Sequence, residues 1–220
     1  MSLDKLNIKR GDSAICVFSG GMDSTTLLYH LLERDVETLA ISFDYGQRHK
    51  KELEYAARTC AKLDVPHKLV DISTVKELIG GNALTDPKLT VPAGHYEEEA
   101  MKVTVVPNRN MIFLAIAGGW AVAEEVDLLA LAVHSGDHAI YPDCRPAFID
   151  AFDAALRAGN YHQVSTYAPF IGMSKGEIAA EGMRMGVDFS KTWSCYEGAD
   201  EPCGVCGTCV ERAEALDALP

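Results

Sequence analysis

Two groups of residues in this chain have the types and spacing to do chemistry. The first is Ser19-Gly20-Gly21-Met22-Asp23-Ser24, placed between an apolar strand-like run, Ala14–Phe18, and a helix-like run, Thr25–Leu32. A glycine-rich strand-to-helix turn directs backbone N–H groups and the positive end of a helix at one point, which suits a phosphate. Paired glycines let the main chain approach an anion closely, and Ser19 and Ser24 add hydroxyls. The lysine of the G-x-x-x-x-G-K-[ST] loop, which reaches β- and γ-phosphates, is missing. A cradle without it fits a pyrophosphate that leaves rather than a γ-phosphoryl group that moves. The competing reading is a turn that only caps a helix, with Asp23 complementing the macrodipole.

The second group is Cys203-Gly204-Val205-Cys206-Gly207-Thr208-Cys209, with Cys195 upstream. Four sulfurs match the tetrahedral demand of Zn²⁺, and C-x-x-C spacing lets one tight turn present two thiolates to one ion. Glycine after Cys203 and after Cys206 fits the backbone angles of such turns. Zinc held by four thiolates has no open position and is structural. An iron–sulfur cluster is the second reading, although the Cys-Pro of the ferredoxin pattern is absent. Redox-active thiols are the third. Cys16, Cys60 and Cys144 stand alone and read as ordinary core or surface thiols.

The elements that must position these groups follow from the apolar pattern. Strands are predicted at Ala14–Phe18, Thr38–Phe43, His67–Val70, Leu128–Val133 and Gln163–Tyr167. Helices are predicted at Thr25–Arg34, Lys50–Leu63, Met111–Glu125, Pro146–Ala158 and Lys175–Met185. That alternation specifies an α/β fold with a parallel sheet covered on both faces, whose ligands sit beyond the carboxyl ends of the strands. The 220 residues fit a single domain, residues 1–220, with the four-cysteine zinc site embedded at 195–209. Gly80–Pro107, with three prolines and the acidic Glu97-Glu98-Glu99, has no clear period and reads as a lid over the nucleotide or a floppy surface excursion, with the lid slightly preferred.

Bulk composition narrows the partners. Twenty Lys and Arg stand against 32 Asp and Glu, a net charge of −12. A nucleic-acid binder presents a basic face to replace phosphate counterions, so a small-molecule substrate is expected and no nucleic acid. No apolar run reaches membrane-spanning length, and Met1-Ser2-Leu3-Asp4-Lys5 has no signal-peptide core. A cytoplasmic protein with reduced thiols and no membrane partner is the expectation.

With these residues assembled, the chain resembles a known family. S-G-G-x-D-S is the pyrophosphate-loop signature of the N-type ATP pyrophosphatases. The loop and cysteine trio, together with Phe43-Asp44-Tyr45-Gly46-Gln47-Arg48-His49, Val106-Pro107-Asn108-Arg109-Asn110, Tyr141-Pro142-Asp143-Cys144-Arg145-Pro146, Met173–Ile178 and Thr192-Trp193-Ser194-Cys195-Tyr196, resemble the 7-cyano-7-deazaguanine synthases nearly end to end. The resemblance implies a Rossmann-like ATP pyrophosphatase domain with a C-terminal zinc-binding segment, ATP as co-substrate with Mg²⁺, structural Zn²⁺ on Cys195, Cys203, Cys206 and Cys209, and a homodimer. The implied reaction turns 7-carboxy-7-deazaguanine, ammonia and ATP into 7-cyano-7-deazaguanine, AMP and pyrophosphate. Too little chain follows the loop for a glutaminase, so ammonia is expected free or from a separate protein. Phe18, Ser19, Gly20, Gly21, Met22, Asp23, Ser24, Thr25 and Thr26 are the expected nucleotide residues, and Asp23, Arg109 and Lys175 the expected catalytic ones.

Expected substrate contacts follow the second and fourth strands: Asp44, Gln47 and Arg48, then His134, Asp137, Asp143 and Arg145. Each has a plainer reading. Arg48 could form a surface ion pair, Arg109 could anchor the Pro107-Asn108 turn, Ser174 could merely cap a helix beside Lys175, and His134 could be a satisfied structural residue. A transfer-RNA thiolase shares the loop and is the rival activity, weakened by the acidic balance.

Overall fold

The computed structural model describes residues 8–95 and 99–219, so Met1–Lys5 and Glu97-Glu98 lie outside the described residues. Five strands, β1 (Ser13–Val17), β2 (Glu37–Asp44), β3 (His67–Asp71), β4 (Leu128–Ala130) and β5 (Ser165–Tyr167), form one parallel sheet in the order β3-β2-β1-β4-β5. Among the described residues, six α-helices accompany them: α1 (Met22–Glu33), α2 (Lys51–Lys62), α3 (Arg109–Ala123), α4 (Pro146–Gly159), α5 (Lys175–Arg184) and α6 (Gly207–Asp217).

Strand alternation sorts side chains onto two faces. Ile15, Ile41, Phe43 and Leu129 enter the core with α3 and α4, while Ala14, Cys16, Ala40 and Ala130 enter the core with α1, α2 and α5. The second set is small, so Leu27, Leu28 and Leu31 of α1 pack directly on the central strands. Burying each such leucine or isoleucine is worth about 1.5–3 kcal/mol, and only a sheet covered on both faces buries all of them.

The chain runs outward from β1 to β2 and β3, then returns to the other side of β1 as β4. The crossover direction therefore reverses between β1 and β4. That switch point opens a crevice beyond the carboxyl ends of the strands. The Ser19–Ser24 loop leaves the end of β1 there.

The expected elements are all present, with two differences and one addition. β4 ends at Ala130, because Leu131, Ala132 and Val133 become cavity wall instead of sheet. Helix α6, unexpected from the sequence, starts immediately after Cys206. None of the described residues of Gly80–Pro107 lines the cavity. Ala83 and Val91 pack with Trp193 and the cysteines, Ala93 bridges to Cys206, and the Arg48 guanidinium donates to the carbonyls of Ala83 (3.4 Å) and Leu89 (3.2 Å). Its two aliphatic anchors are buried there, so the segment is a wrap around the C-terminal cluster.

Among the described residues, no helix is long and apolar enough to cross a membrane.

Candidate active site

The loop is organised by its own serines. Ser24 Oγ accepts from the Ser19 amide (3.3 Å), lies 3.0 Å from Ser19 Oγ, and donates to the Gly21 carbonyl (3.3 Å). Gly21 is the N-cap of α1 and has no side chain to place over the helix end. The amides of Met22, Asp23 and Ser24 precede any intrahelical acceptor, leaving donors and the positive helix end available to an anion. Gly20 has φ +80°, and a Cβ there would sit 2.5 Å from the Glu52 carbonyl and 2.7 Å from the Ala56 amide. Only glycine lets the loop lie this close to α2.

Beside the loop stands a half-buried charge cluster. Lys175 Nζ is 3.3 Å from Asp23 Oδ2 and 3.2 Å from Glu211 Oε2. Burial alone would raise the Asp23 carboxyl, but Lys175 and then His134 outweigh it and hold it below the ordinary carboxylate range. The lysine is driven the other way: burial would lower it, yet Asp23 and Glu211 raise it, so it stays a cation. Glu211 is raised, mainly by burial, against the pull of Lys175. The Gly136 amide donates to His134 Nδ1 (3.1 Å), which leaves Nε2 3.8 Å from Asp23 and 3.5 Å from Asp137. Asp23 Oδ1 is buried without a hydrogen-bond partner among the described residues. A buried carboxylate oxygen left this way is suited to a cation.

Loop and cluster share a cavity of about 220 Å³. Its remaining wall is aromatic and amphipathic, with Tyr45, Phe113, Trp193 and Tyr196 alongside Glu52 and Arg109. Phe113 stacks on Phe43 with ring centroids 4.4 Å apart and lies 5.4 Å from Tyr45, giving a flat apolar face. Arg109 begins α3 and stands 5.7 Å over the Tyr141 ring. The cavity combines an anion cradle, two fixed cations and a planar apolar surface, which is what a nucleotide and an aromatic acid together require.

Of the expected nucleotide residues, Ser19, Gly21, Met22, Asp23 and Ser24 line this cavity, as do Arg109, Asp137 and Lys175. Gly20 supports the loop from behind. Phe18 is core, Thr25 is buried in α1, and Thr26 bonds to the Met22 carbonyl (3.0 Å). His134 reaches the site through Asp23 and Asp137. The other expected substrate residues do not line the cavity. Asp44 pairs with Lys50 (2.6 Å), Gln47 braces Glu52 (3.0 Å), and Arg48 holds the wrap, with Glu197 at 3.8 Å. Asp143 accepts from the Asn110 amide at the start of α3 (2.9 Å), and exposed Arg145 donates to the His138 carbonyl (2.8 Å). Glu52, Phe113 and Glu211 had no place in the sequence reading. For Glu52 a signal existed: with Ala56 and Cys60 it falls at four-residue spacing on the buried stripe of α2.

The four cysteine sulfurs of Cys195, Cys203, Cys206 and Cys209 all lie within 4.8 Å of one another. The Cys203 amide donates to Cys195 Sγ (3.4 Å) and the Cys206 amide to Cys203 Sγ (3.3 Å), as in sites that hold thiolates. The cluster can therefore hold a metal ion. It is joined to the loop on both sides: the Trp193 amide donates to the Gly20 carbonyl (3.0 Å), and α6, which carries Cys209, also carries Glu211.

Comparison with known proteins agrees with this architecture. The chain is 51% identical over 207 residues to a 7-cyano-7-deazaguanine synthase of Marinobacter nauticus, covering 94% of this chain and 93% of that relative. It is 52% identical over 205 residues to a protein of the same name from Alteromonas mediterranea, covering 93% and 94%. Among solved structures, the U34-tRNA thiolase NcsA from Methanococcus maripaludis with its [4Fe-4S] cluster has the same fold, with a TM-score of 0.56 at 16% identity over 98% of this chain and 67% of that one. Residues 13–219 match the family described as queuosine biosynthesis protein QueC, and the chain belongs to that family.

Proposed function

We propose that the protein is a carbon–nitrogen ligase that makes 7-cyano-7-deazaguanine from 7-carboxy-7-deazaguanine, ammonia and two ATP. The observation that carries the reading is the convergence of the Ser19–Ser24 cradle, Asp23 and Lys175 on one cavity with a flat aromatic wall. A carboxylate is a poor electrophile. Attack of its oxygen on the α-phosphorus of ATP releases pyrophosphate and leaves an acyl-adenylate. Ammonia then adds at the carbonyl carbon, loses a proton and expels AMP, giving the amide. The amide oxygen attacks the α-phosphorus of a second ATP and releases a second pyrophosphate, and loss of AMP with the remaining N–H protons leaves the nitrile.

The chain's own groups do the positioning. The Met22, Asp23 and Ser24 amides hold the departing pyrophosphate, while Lys175 and Arg109 provide fixed positive charge where negative charge gathers. The buried Asp23 Oδ1 is the oxygen we assign to Mg²⁺, which would neutralise phosphate charge when bound. For the cysteine cluster we favour a single Zn²⁺. A tetrahedral ion with ~2.3 Å bonds sets its sulfurs about 3.8 Å apart, a small contraction from the spacing present. A four-iron cluster puts an iron behind each sulfur and needs them wider apart.

The experiment is incubation with ATP, Mg²⁺, ammonium and 7-carboxy-7-deazaguanine, followed by mass analysis for amide, nitrile and AMP. Formation of none of them refutes the activity. A cytoplasmic homodimer acting without RNA completes the reading. Light scattering on the eluted protein tests the dimer, and filter binding at moderate salt tests the RNA clause.

A further inference from the structure

Three carboxylates line the cavity, and two of them are committed to protein partners. Asp23 serves Lys175, and Asp137 faces His134. Glu52 is different. Its Oε1 accepts from Gln47 Nε2 at 3.0 Å, and Gln47 is itself fixed by donating to the Phe43 carbonyl (3.1 Å) and accepting from the Tyr45 amide (2.9 Å). Its ionisable neighbours are Arg109 and His49, with His49 Nε2 at 3.5 Å in a ring that burial keeps neutral, its value lowered to about 3. Burial raises the Glu52 carboxyl to about 7, opposed by the Gln47 hydrogen bond and the Arg109 charge. No hydrogen bond from a described residue reaches Glu52 Oε2. One oxygen is thus clamped by a rigid amide, and the other remains for whatever fills the cavity.

The wall beside it is shaped for a planar ring. Phe113 and Phe43 stack with an 8° interplanar angle, and Tyr45 tilts against Phe113. Glu52 lines the same cavity as that face, within which a planar ring would lie. Two ring systems compete for the cavity if the reaction above is right, and the present inference rests on that reading. Adenine offers one N–H donor beside a ring-nitrogen acceptor, which a carboxylate repels. A 2-amino-4-oxopyrimidine edge offers an N–H and an NH₂ side by side, which one carboxylate accepts as a pair. The geometry points to Glu52 as the specificity residue of the site, accepting the paired donors of the deazaguanine ring and turning adenine away from that end of the cavity.

The test combines steady-state kinetics with calorimetry of the base alone. Glu52→Gln keeps the shape and the Gln47 contact but replaces one acceptor with a donor. It should raise KM for 7-carboxy-7-deazaguanine about 10- to 100-fold and leave KM for ATP within about twofold, because only one substrate loses a charge-assisted pair. Calorimetry without ATP should show wild type binding the analogue that lacks the 2-amino group about tenfold or more weakly than the parent base, a gap that narrows in Glu52→Gln. A rise in KM for ATP with the deazaguanine value unchanged would overturn the assignment, as would equal affinity of wild type for the two bases. Failure of wild type to form AMP or nitrile is a separate result. It removes the proposed reaction, while the base-binding comparison still decides the role of Glu52.

Discussion

The two adjacent glycines of the loop make opposite predictions. Gly20→Ala puts a side chain at φ +80°, with its Cβ 2.5 Å from the Glu52 carbonyl and 2.7 Å from the Ala56 amide. The left-handed backbone costs roughly 1–2 kcal/mol. Relieving contact with two backbone groups of α2 costs about 1–3 kcal/mol more, since neither can rotate away. The sum, about 2–5 kcal/mol, is a large share of the ~5–15 kcal/mol that holds a domain folded. Gly21 has φ −77° and ψ 173°, ordinary values for alanine, and its added methyl would meet only Ser19 Oγ, at 3.2 Å, and the Trp193 carbonyl, at 3.5 Å. Gly21→Ala should therefore cost about 1 kcal/mol or less, in the range of a weakened N-cap. That methyl occupies the mouth of the anion cradle, so pyrophosphate release should still fall steeply. Urea denaturation and a pyrophosphate-release assay on both variants separate the effects. A wild-type unfolding midpoint for Gly20→Ala, or a Gly21→Ala variant less stable than Gly20→Ala, would refute the close packing of the loop on α2.

Three further outcomes follow from the site and its supports. Lys175→Met leaves Asp23 and Glu211 without their shared cation and should cost about 3–5 kcal/mol; adding Glu211→Gln should restore part of it, and no recovery in denaturant melts would count against the shared-cation geometry. Cys206→Ser should lose bound metal on elemental analysis and lower the melting temperature by about 6–12 °C, equivalent to ~3 kcal/mol for a chain this size; unchanged metal content and melting would remove the four-ligand site. Burial, with Arg34 adding, holds the His30 ring down to about 4. Its folded-state value lies below the unfolded one, so stability is full above pH 6.5 and is lost as pH falls towards 4, by about 3 kcal/mol. His30→Gln should flatten that slope in denaturation midpoints measured from pH 7 to 4, and an unchanged slope would refute the assignment.

The sequence carried the sheet well because its signal is local. Buried parallel strands read as short apolar runs, and the Ser19–Ser24 loop and cysteine spacing are contiguous motifs. What it hid depends on distant contacts. Glu52 looks like one more charge on a lysine- and glutamate-rich helix until Gln47 and the cavity are in place. Glu211 sits in a weakly patterned helix and becomes meaningful only when α6 docks beside Lys175. Gly80–Pro107 lacks a period because its partners are the cysteine loop and Arg48, so its role as a wrap had no local signature. Asp44 and Arg145 follow strand and turn as site residues would, yet Lys50 and the His138 carbonyl engage them first.

The hydrogen bond from Trp193 to Gly20, and the reach of Glu211 to Lys175, also set an order of events during synthesis. The loop emerges from the ribosome well ahead of its outer braces, Trp193 lying 173 positions after Gly20 and Glu211 lying 188 after Asp23. Until they arrive, Lys175 lacks one of its two carboxylate partners and the loop lacks its contact with Trp193. The nascent chain thus carries the nucleotide signature well before the braced site can be completed.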